Sequence, residues 1–216
     1  MGGGGFTMEP LNPALDEHIL SLARRRREPR ILLLPTASGD SVEQEARFHA
    51  TYDDRGAVTS VLSLFRLGLN GPVDLRALLL DQDVVYVGGG SLRNMLAIWR
   101  EHGLDVVLRE AWAAGVVLAG LSAGAMCWFE GGVTTSSGRP EPVEGLGLLP
   151  GSLSVHADGE PERLPVFEQA VARGHLPAGW AADDGVGLHF CEDALVEAVA
   201  SRPGRRIPSL VNPPSM

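Results

Sequence analysis

The pentapeptide Gly-Leu-Ser-Ala-Gly at residues 120–124 is the stretch whose residue types most directly suggest chemistry. It follows Val116 to Ala119, a short apolar run rich in branched residues that predicts a buried strand. A serine on a sharp strand-to-helix turn is typical of a nucleophile elbow, which holds the hydroxyl above the sheet. The same pentapeptide also occurs as a plain glycine-rich connection between a strand and a helix. Other features of the chain are needed to distinguish an elbow from such a connection.

A nucleophilic serine needs a base, and the chain has six histidines. Four of them lie on predicted helices or at their ends, where a solvated histidine is the ordinary explanation: His18, His49, His102 and His175. His189 lies in a predicted strand. His156 differs, because it lies in an irregular segment, and catalytic groups concentrate on loops held by a rigid sheet. We therefore predict His156 as the base.

The carboxylate that would orient this histidine is harder to place from sequence. Glu130 comes eight residues after Ser122, behind the apolar pair Trp128-Phe129, and is close enough in the chain to reach the imidazole. We expect Glu130 in this role. Asp158, Glu160 and Glu141 remain open as rivals.

Backbone amides supply the third requirement, a site for the developing oxyanion. The amide of Ala123, one residue past the serine, is the usual first donor. The turn Gly88-Gly89-Gly90 follows a predicted strand at 83–87 and offers a second amide, from Gly89 or Gly90. A dinucleotide-binding turn is disfavoured there, because the spacing is not that of G-x-G-x-x-G.

The elements around these turns follow a regular alternation. Strands predicted near residues 31, 59, 84 and 116 alternate with helices at 14–25, 41–53, 75–80, 92–102 and 105–114. This order predicts an α/β fold with a mostly parallel sheet, whose ligands bind beyond the carboxyl ends of the strands. Residues 131–161 are expected to be irregular, 163–173 helical, and 180–190 and 194–201 to form strands of a hairpin. We expect one domain, residues 1–216.

Composition excludes several classes of partner. The net charge of -9 and a pI near 5.1 disfavour nucleic acid and anionic membranes. The two cysteines form no disulfide framework and no metal motif. No apolar run has the length of a membrane span, and the start lacks the order of a signal peptide, so we expect a cytoplasmic protein.

Several segments together resemble the peptidase E family of serine peptidases, which includes the cyanophycinases. The matching segments, in chain order, are 2–9 (GGGGFTME), 34–40 (LPTASGD), 86–90 (YVGGG), 120–125 (GLSAGA), 127–132 (CWFEGG), 156–163 (HADGEPER) and 182–185 (ADDG). They run along nearly the whole chain, and their order makes the likeness specific. It also implies that the glycines at 2–5 are native sequence.

The resemblance implies a three-layer α/β/α sandwich related to class I glutamine amidotransferases, which have cysteine where Ser122 stands. It implies Ser122 as nucleophile, His156 as base, and Gly89 or Gly90 with Ala123 as the oxyanion hole. Peptidase E is similar in cleaving dipeptides with an amino-terminal aspartate, without a metal or cofactor. Arg163 corresponds to an arginine associated with the aspartate side chain. Relatives are often homodimers.

The sequence departs from the family pattern at four positions around the site. Ser91, a substrate-binding candidate, replaces the usual asparagine, and Thr135 replaces an aspartate. Val155 and Ala157 flank His156 in place of proline and tyrosine. The missing aspartate at 135 favours a Ser-His-Glu triad through Glu130, and the other changes put aspartyl specificity in doubt.

The sequence thus predicts a serine hydrolase acting on small peptides, with an amino-terminal aspartyl dipeptide as the favoured substrate. Cleavage of β-aspartyl-arginine peptides, as in the cyanophycinases, is the alternative within the enzyme class. A non-catalytic member that binds a small acidic ligand or a partner protein is the alternative from another class, and the four substitutions motivate it.

Overall fold

The computed structural model describes residues 1–25, 27–69, 71–204 and 209–212. At its centre lies a four-stranded parallel sheet in the order β2-β1-β3-β4. Its strands are β1 (Arg30–Leu34), β2 (Val58–Val61), β3 (Val84–Val87) and β4 (Val117–Gly120). Strands β1 and β3 are apolar almost without interruption, as expected for parallel strands covered on both faces.

Eight α-helices are described: α1 (Gly5–Met8), α2 (Ala14–Ser21), α3 (Val42–Asp53), α4 (Leu75–Leu80), α5 (Leu92–His102), α6 (Leu104–Ala113), α7 (Ala123–Met126) and α8 (Arg163–Ala172). Side chains cap three of them, because Ser41, Asp74 and Ser91 accept hydrogen bonds from amides of the first turn. Gly103 ends α5 in the left-handed conformation, with φ 65°.

The two faces of the parallel sheet are buried under different helices. Leu32, Val85 and their neighbours face a core formed with α4, α5, α6 and α7. On the other face, Leu33 and Tyr86 pack with Phe48 and other aromatic residues of α1 and α3. The sheet is therefore the middle layer of three, and the predicted α/β fold with a mostly parallel sheet is confirmed.

The remaining strands are β5 (Phe129–Thr134), β6 (Glu141–Glu144), β7 (Leu149–Ser154), β8 (Gly179–Ala181), β9 (Val186–Cys191), β10 (Ala194–Ala200) and β11 (Ser209–Val211). Five of them form a second sheet in the order β11-β8-β7-β5-β6, in which β5, β7 and β8 are parallel. Strands β9 and β10 form an antiparallel hairpin.

The second sheet corrects the expectation that residues 131–161 are irregular. Three strands, β5, β6 and β7, lie in or across this range. At least one of the glycines that suggested a loop is required by close packing of strands: a Cβ on Gly132 would collide with the carbonyl oxygen of Leu153 on β7. The predicted strand at 180–190 is also two strands, β8 and β9, separated by residues 182–185.

None of the helices in the described part of the chain is both long and apolar enough to cross a membrane.

One buried carboxylate, Asp83, ties the starts of β1 and β3 together. Its Oδ2 accepts from the Arg30 amide at 2.9 Å and from Arg25 Nη1 at 2.9 Å, and its side chain is 0% exposed. Burial alone would raise the pKa of this carboxyl, but the hydrogen bonds from Arg30 and Arg25 outweigh burial, so the pKa lies below its usual value.

We expect Asp83→Asn to lower the free energy of unfolding at pH 7 by about 1–3 kcal/mol, because charge-assisted hydrogen bonds are lost. A lowered folded-state pKa stabilises the fold above the unfolded-state pKa, and this contribution is lost as the pH falls through the folded-state value. Urea denaturation at pH 7 and near pH 3 should therefore show the difference between wild type and variant shrinking in acid. Exposed Glu101→Gln is the control, and a difference independent of pH would contradict the assignment.

Candidate active site

Ser122 lies on the predicted elbow, between the end of β4 and the start of α7. Its φ is 54°, a strained value for a residue with a side chain. The flanking glycines make the turn possible, because a Cβ on Gly120 would collide with the Gly124 carbonyl and one on Gly124 with the Val87 carbonyl. The residue as a whole is half-buried.

His156 follows β7 by two residues and also has a positive φ, 58°. Its Nε2 lies 2.8 Å from Ser122 Oγ, a hydrogen-bond distance. The structure therefore brings together the two residues that the sequence predicted as nucleophile and base. Both belong to loops at the carboxyl ends of parallel strands, as expected for α/β sheets.

The carboxylate beside His156 is Asp184, which differs from the sequence prediction. Asp184 Oδ1 lies 2.5 Å from His156 Nδ1, with the two side chains 23% and 13% exposed. Asp184 follows β8, the strand paired with β7, so both residues emerge at the same edge of the sheet. A Ser-His-Asp arrangement results, with each pair in hydrogen-bond contact.

Glu130 occupies a different place from the one predicted. It lies within β5, where its side chain is exposed to solvent. Its Oε2 accepts a hydrogen bond from the Gly151 amide at 3.1 Å. Proximity in sequence to Ser122 was misleading, because a strand turns successive side chains to opposite faces.

The other candidate carboxylates have partners of their own. Asp158 accepts a hydrogen bond from the Asp184 amide at 2.8 Å and so supports the loop that carries Asp184. Glu160 pairs with Arg163, and Glu141 pairs with Arg93. The available signal for Asp184 was its place in the segment Ala182-Asp183-Asp184-Gly185, directly after a strand.

Two of the predicted oxyanion donors, Gly89 and Ala123, lie next to the serine. Among the described residues, none accepts a hydrogen bond from the amides of Gly89, Gly90 or Ala123. A Cβ on Gly89 would lie 3.4 Å from the Cβ of Ser122, which places this backbone beside the nucleophile. Ala123 is the first residue of α7, where amide hydrogens are free to bind a ligand.

Arg163 lies behind the histidine loop and is buried, with 3% of its surface exposed. It is bound by Glu160 at 3.0 Å, by Thr135 Oγ1 at 2.8 Å and by the Val155 carbonyl at 3.4 Å. Burial lowers the pKa of its guanidinium, and the charges of Glu160 and Asp184 oppose that shift. Ser91, the other predicted substrate contact, caps α5.

Cys127 is the thiol closest in sequence to the elbow, and its surroundings make it unreactive. It is fully buried, its Sγ lies 3.2 Å from the Gly124 carbonyl, and burial raises the pKa of the thiol well above its usual value. A thiolate nucleophile at this position is therefore disfavoured, and the hydroxyl of Ser122 is the nucleophilic group next to His156.

The first residues of the chain lie between the elbow and the Asp184 loop. The Met1 carbonyl accepts a hydrogen bond from the Ser122 amide at 3.0 Å, and Gly3 forms a parallel bridge with Asp184. A Cβ on Gly3 would approach the Asp184 carboxyl carbon to 2.7 Å. Gly3 thus has a packing role that sequence reasoning did not find.

A cleft of about 1070 Å³ lies elsewhere, between β4, α2 and the β9–β10 hairpin. Its walls include Leu118, His18 and His189, and do not include Ser122, His156 or Asp184. The candidate active site is therefore defined by the hydrogen-bonded residues Ser122, His156 and Asp184, and not by this cleft.

Comparison with known proteins finds similarity to peptidases. The model of peptidase family S51 matches residues 1–198. A Bacillus subtilis (strain 168) protein named uncharacterized peptidase YgaJ is 50% identical over 206 residues, which cover 95% of this chain and 88% of that protein.

Two solved structures share the fold at 19% identity. The structure of a peptidase from an acI-B1 actinobacterium has a TM-score of 0.62 and covers 100% of this chain and 93% of its own. That of a putative peptidase E protein from Listeria monocytogenes EGD-e has a TM-score of 0.54, with 69% of this chain and 77% of its own covered.

We expect Asp184→Asn to slow covalent labelling of Ser122 by a fluorophosphonate probe by about 10³- to 10⁴-fold, because the amide stabilises the wrong histidine tautomer. Glu130→Gln is the matched control and should label at nearly the wild-type rate. Labelling rates followed by intact-mass spectrometry check this. The reverse pattern would restore Glu130 as the orienting group.

We expect Gly3→Ala to slow the same labelling by about 100-fold, because the added methyl group displaces Asp184 from His156. Circular dichroism should show the fold retained. In an Asp184→Asn background the Gly3→Ala change should have little further effect, since both act on one contact. An equal loss in both backgrounds would show that Gly3 acts by another route.

Proposed function

The chain belongs to peptidase family S51, and from that premise we propose that it is a serine peptidase with Ser122 as nucleophile. The observation that carries the proposal is the continuous contact from Ser122 Oγ to His156 Nε2, at 2.8 Å, and from His156 Nδ1 to Asp184, at 2.5 Å. His156 is the base in this proposal, and Asp184 holds its ring.

The reaction proceeds through an acyl-enzyme. Ser122 Oγ attacks the scissile carbonyl carbon while its proton passes to His156 Nε2. The carbonyl oxygen becomes an oxyanion that accepts hydrogen bonds from the amides of Ala123 and of Gly89 or Gly90. The imidazolium, stabilised by Asp184, then protonates the leaving amine, and the C–N bond breaks.

Hydrolysis of the acyl-enzyme repeats these roles with water. His156 takes a proton from the water as its oxygen attacks the ester carbonyl. The tetrahedral intermediate collapses, the bond to Ser122 Oγ breaks, and the imidazolium returns the proton to Ser122. The products are the amine of one fragment and the carboxylic acid of the other, and the enzyme is regenerated.

We propose an amino-terminal aspartyl dipeptide as the substrate, with Arg163 as the anion contact. The support is a buried guanidinium whose Nη1 lies 3.4 Å from the carbonyl of Val155, the residue next to His156. Glu160 already pairs with Arg163 and is 40% exposed, so it is free to turn toward solvent when a substrate carboxylate approaches. Replacement of the Glu160 carboxylate by the substrate carboxylate would leave the guanidinium of Arg163 with charge-assisted hydrogen bonds.

A protein that only binds a ligand would not need the hydrogen-bonded series Ser122, His156 and Asp184. The assembled contacts favour catalysis over simple binding, although Ser91, Thr135, Val155 and Ala157 depart from the family pattern. Cleavage of β-aspartyl-arginine peptides has no specific structural observation in its favour and stands as one outcome of the test below.

We expect hydrolysis of Asp-Leu without added metal, reduced about 10⁵- to 10⁶-fold in Ser122→Ala. The panel should also hold Glu-Leu, Leu-Leu and a β-aspartyl-arginine dipeptide, with product formation measured by chromatography. Turnover of another member alone would keep the serine chemistry and discard the aspartyl specificity. No turnover and no labelling of Ser122 in folded protein would overturn the enzyme proposal.

The role of Arg163 is tested by comparing substrates. Arg163→Gln should lower kcat/KM for Asp-Leu by about 10- to 100-fold, as expected for a lost charged hydrogen bond, and leave any Leu-Leu turnover nearly unchanged. Glu160→Gln, which frees the guanidinium, is the matched control and should not reduce Asp-Leu turnover. An equal loss for both substrates would show that Arg163 serves the fold of the histidine loop.

A further inference from the structure

Two histidines and a glutamate meet on the face of the β9–β10 hairpin that packs against α2. His18 belongs to α2, His189 to β9 and Glu197 to β10. The donor atoms of the three side chains all lie within 4.8 Å of one another. His189 and Glu197 are cross-strand partners in the hairpin register, which places them on the same face.

One ring nitrogen of each histidine in this cluster lacks a hydrogen-bond partner. His18 Nε2 and His189 Nδ1 are both buried, and neither is hydrogen-bonded to a described residue. The two rings lie 5.3 Å apart and are inclined at 69°. Buried polar atoms are normally satisfied, so two unpartnered nitrogens side by side point to a ligand that binds both.

A neutral imidazole has a free electron pair on one ring nitrogen, and this is what a metal ion binds. Glu197 adds a carboxylate 4.0 Å from His189 Nδ1 and is 57% exposed, so the site opens to solvent on one side.

We propose that His18, His189 and Glu197 form a Zn²⁺ site, separate from the Ser122 centre. Two imidazoles and one carboxylate suit zinc, whereas Mg²⁺ and Ca²⁺ prefer oxygen ligands. Around one tetrahedral zinc the donor atoms lie about 3.3 Å apart, given bonds of about 2.0–2.1 Å. Side-chain rotations close the remaining distance, and water fills the fourth position.

The framework around the cluster holds together the elements that carry the ligands. Asn12 Nδ2 donates to the Ser201 carbonyl at 2.8 Å, which fastens the start of α2 to the end of the hairpin. A bound ion would add a second link between α2 and the hairpin, this one to both β9 and β10. Since β9 begins two residues after Asp184, the ion would stiffen the strand that follows the active-site loop.

The test is a calorimetric titration of the full chain, free of any affinity tag and stripped with EDTA, with ZnCl₂ at pH 7.5. We expect one Zn²⁺ per chain and a rise in Tm on binding. His18→Ala and His189→Ala should each weaken binding by at least about 100-fold, and the double variant should abolish it. Exposed His102→Ala is the matched control and should bind as wild type does.

Further experiments distinguish binding at this site from binding by other residues. Cys191→Ser should bind normally, because the exposed Cys191 thiol is not among the ligands. Co²⁺ in place of Zn²⁺ should give the intense visible bands of tetrahedral coordination in wild type, and these should be lost in Glu197→Gln or change in energy. His18→Gln and His189→Gln serve if an alanine variant fails to fold. Absence of binding by wild type, or binding that survives the double variant, would overturn the proposal.

Discussion

The candidate site depends on a short run of main chain that lies between two sheets. Ser122 follows a strand of the parallel sheet, whereas His156 and Asp184 follow strands of the second sheet. Met1 to Gly3 bridge them, because Met1 accepts from the Ser122 amide and Gly3 pairs beside Asp184. Two hydrogen-bonded side-chain contacts in series require spacing good to a few tenths of an ångström, and this bridge helps to fix it.

Backbone strain is concentrated on the same residues. Ser122 and His156 both have left-handed φ values, 54° and 58°, which cost about 1–3 kcal/mol each for residues with side chains. The surroundings enforce both conformations: α7 begins directly after Ser122, and the Val155 carbonyl before His156 is bound by Arg163. The strain aims the hydroxyl and the imidazole at one another, so part of the folding free energy is used to orient the site.

Arg163 shows how a departure from the family pattern is accommodated. Thr135 stands where the resemblance leads one to expect an aspartate, and its hydroxyl accepts a hydrogen bond from Arg163 Nη2 at 2.8 Å. The negative charge comes instead from Glu160, three residues before Arg163 on the chain. A buried guanidinium needs a counter-charge, and Glu160 supplies it from the same segment of the chain.

Local patterns in the sequence predicted the α/β alternation, the elbow at Ser122 and His156 as the candidate base. Each of these predictions depends on residues close together in the chain. The identity of the carboxylate beside His156 was decided by tertiary structure. Asp184 lies 28 residues beyond His156 and reaches it only because β8 pairs in parallel with β7. Glu130 lies much nearer to Ser122 in sequence, yet the alternation of β5 turns its side chain to solvent. Strand pairing joins residues distant in the chain, and it is set by packing of the whole fold, which no local pattern records.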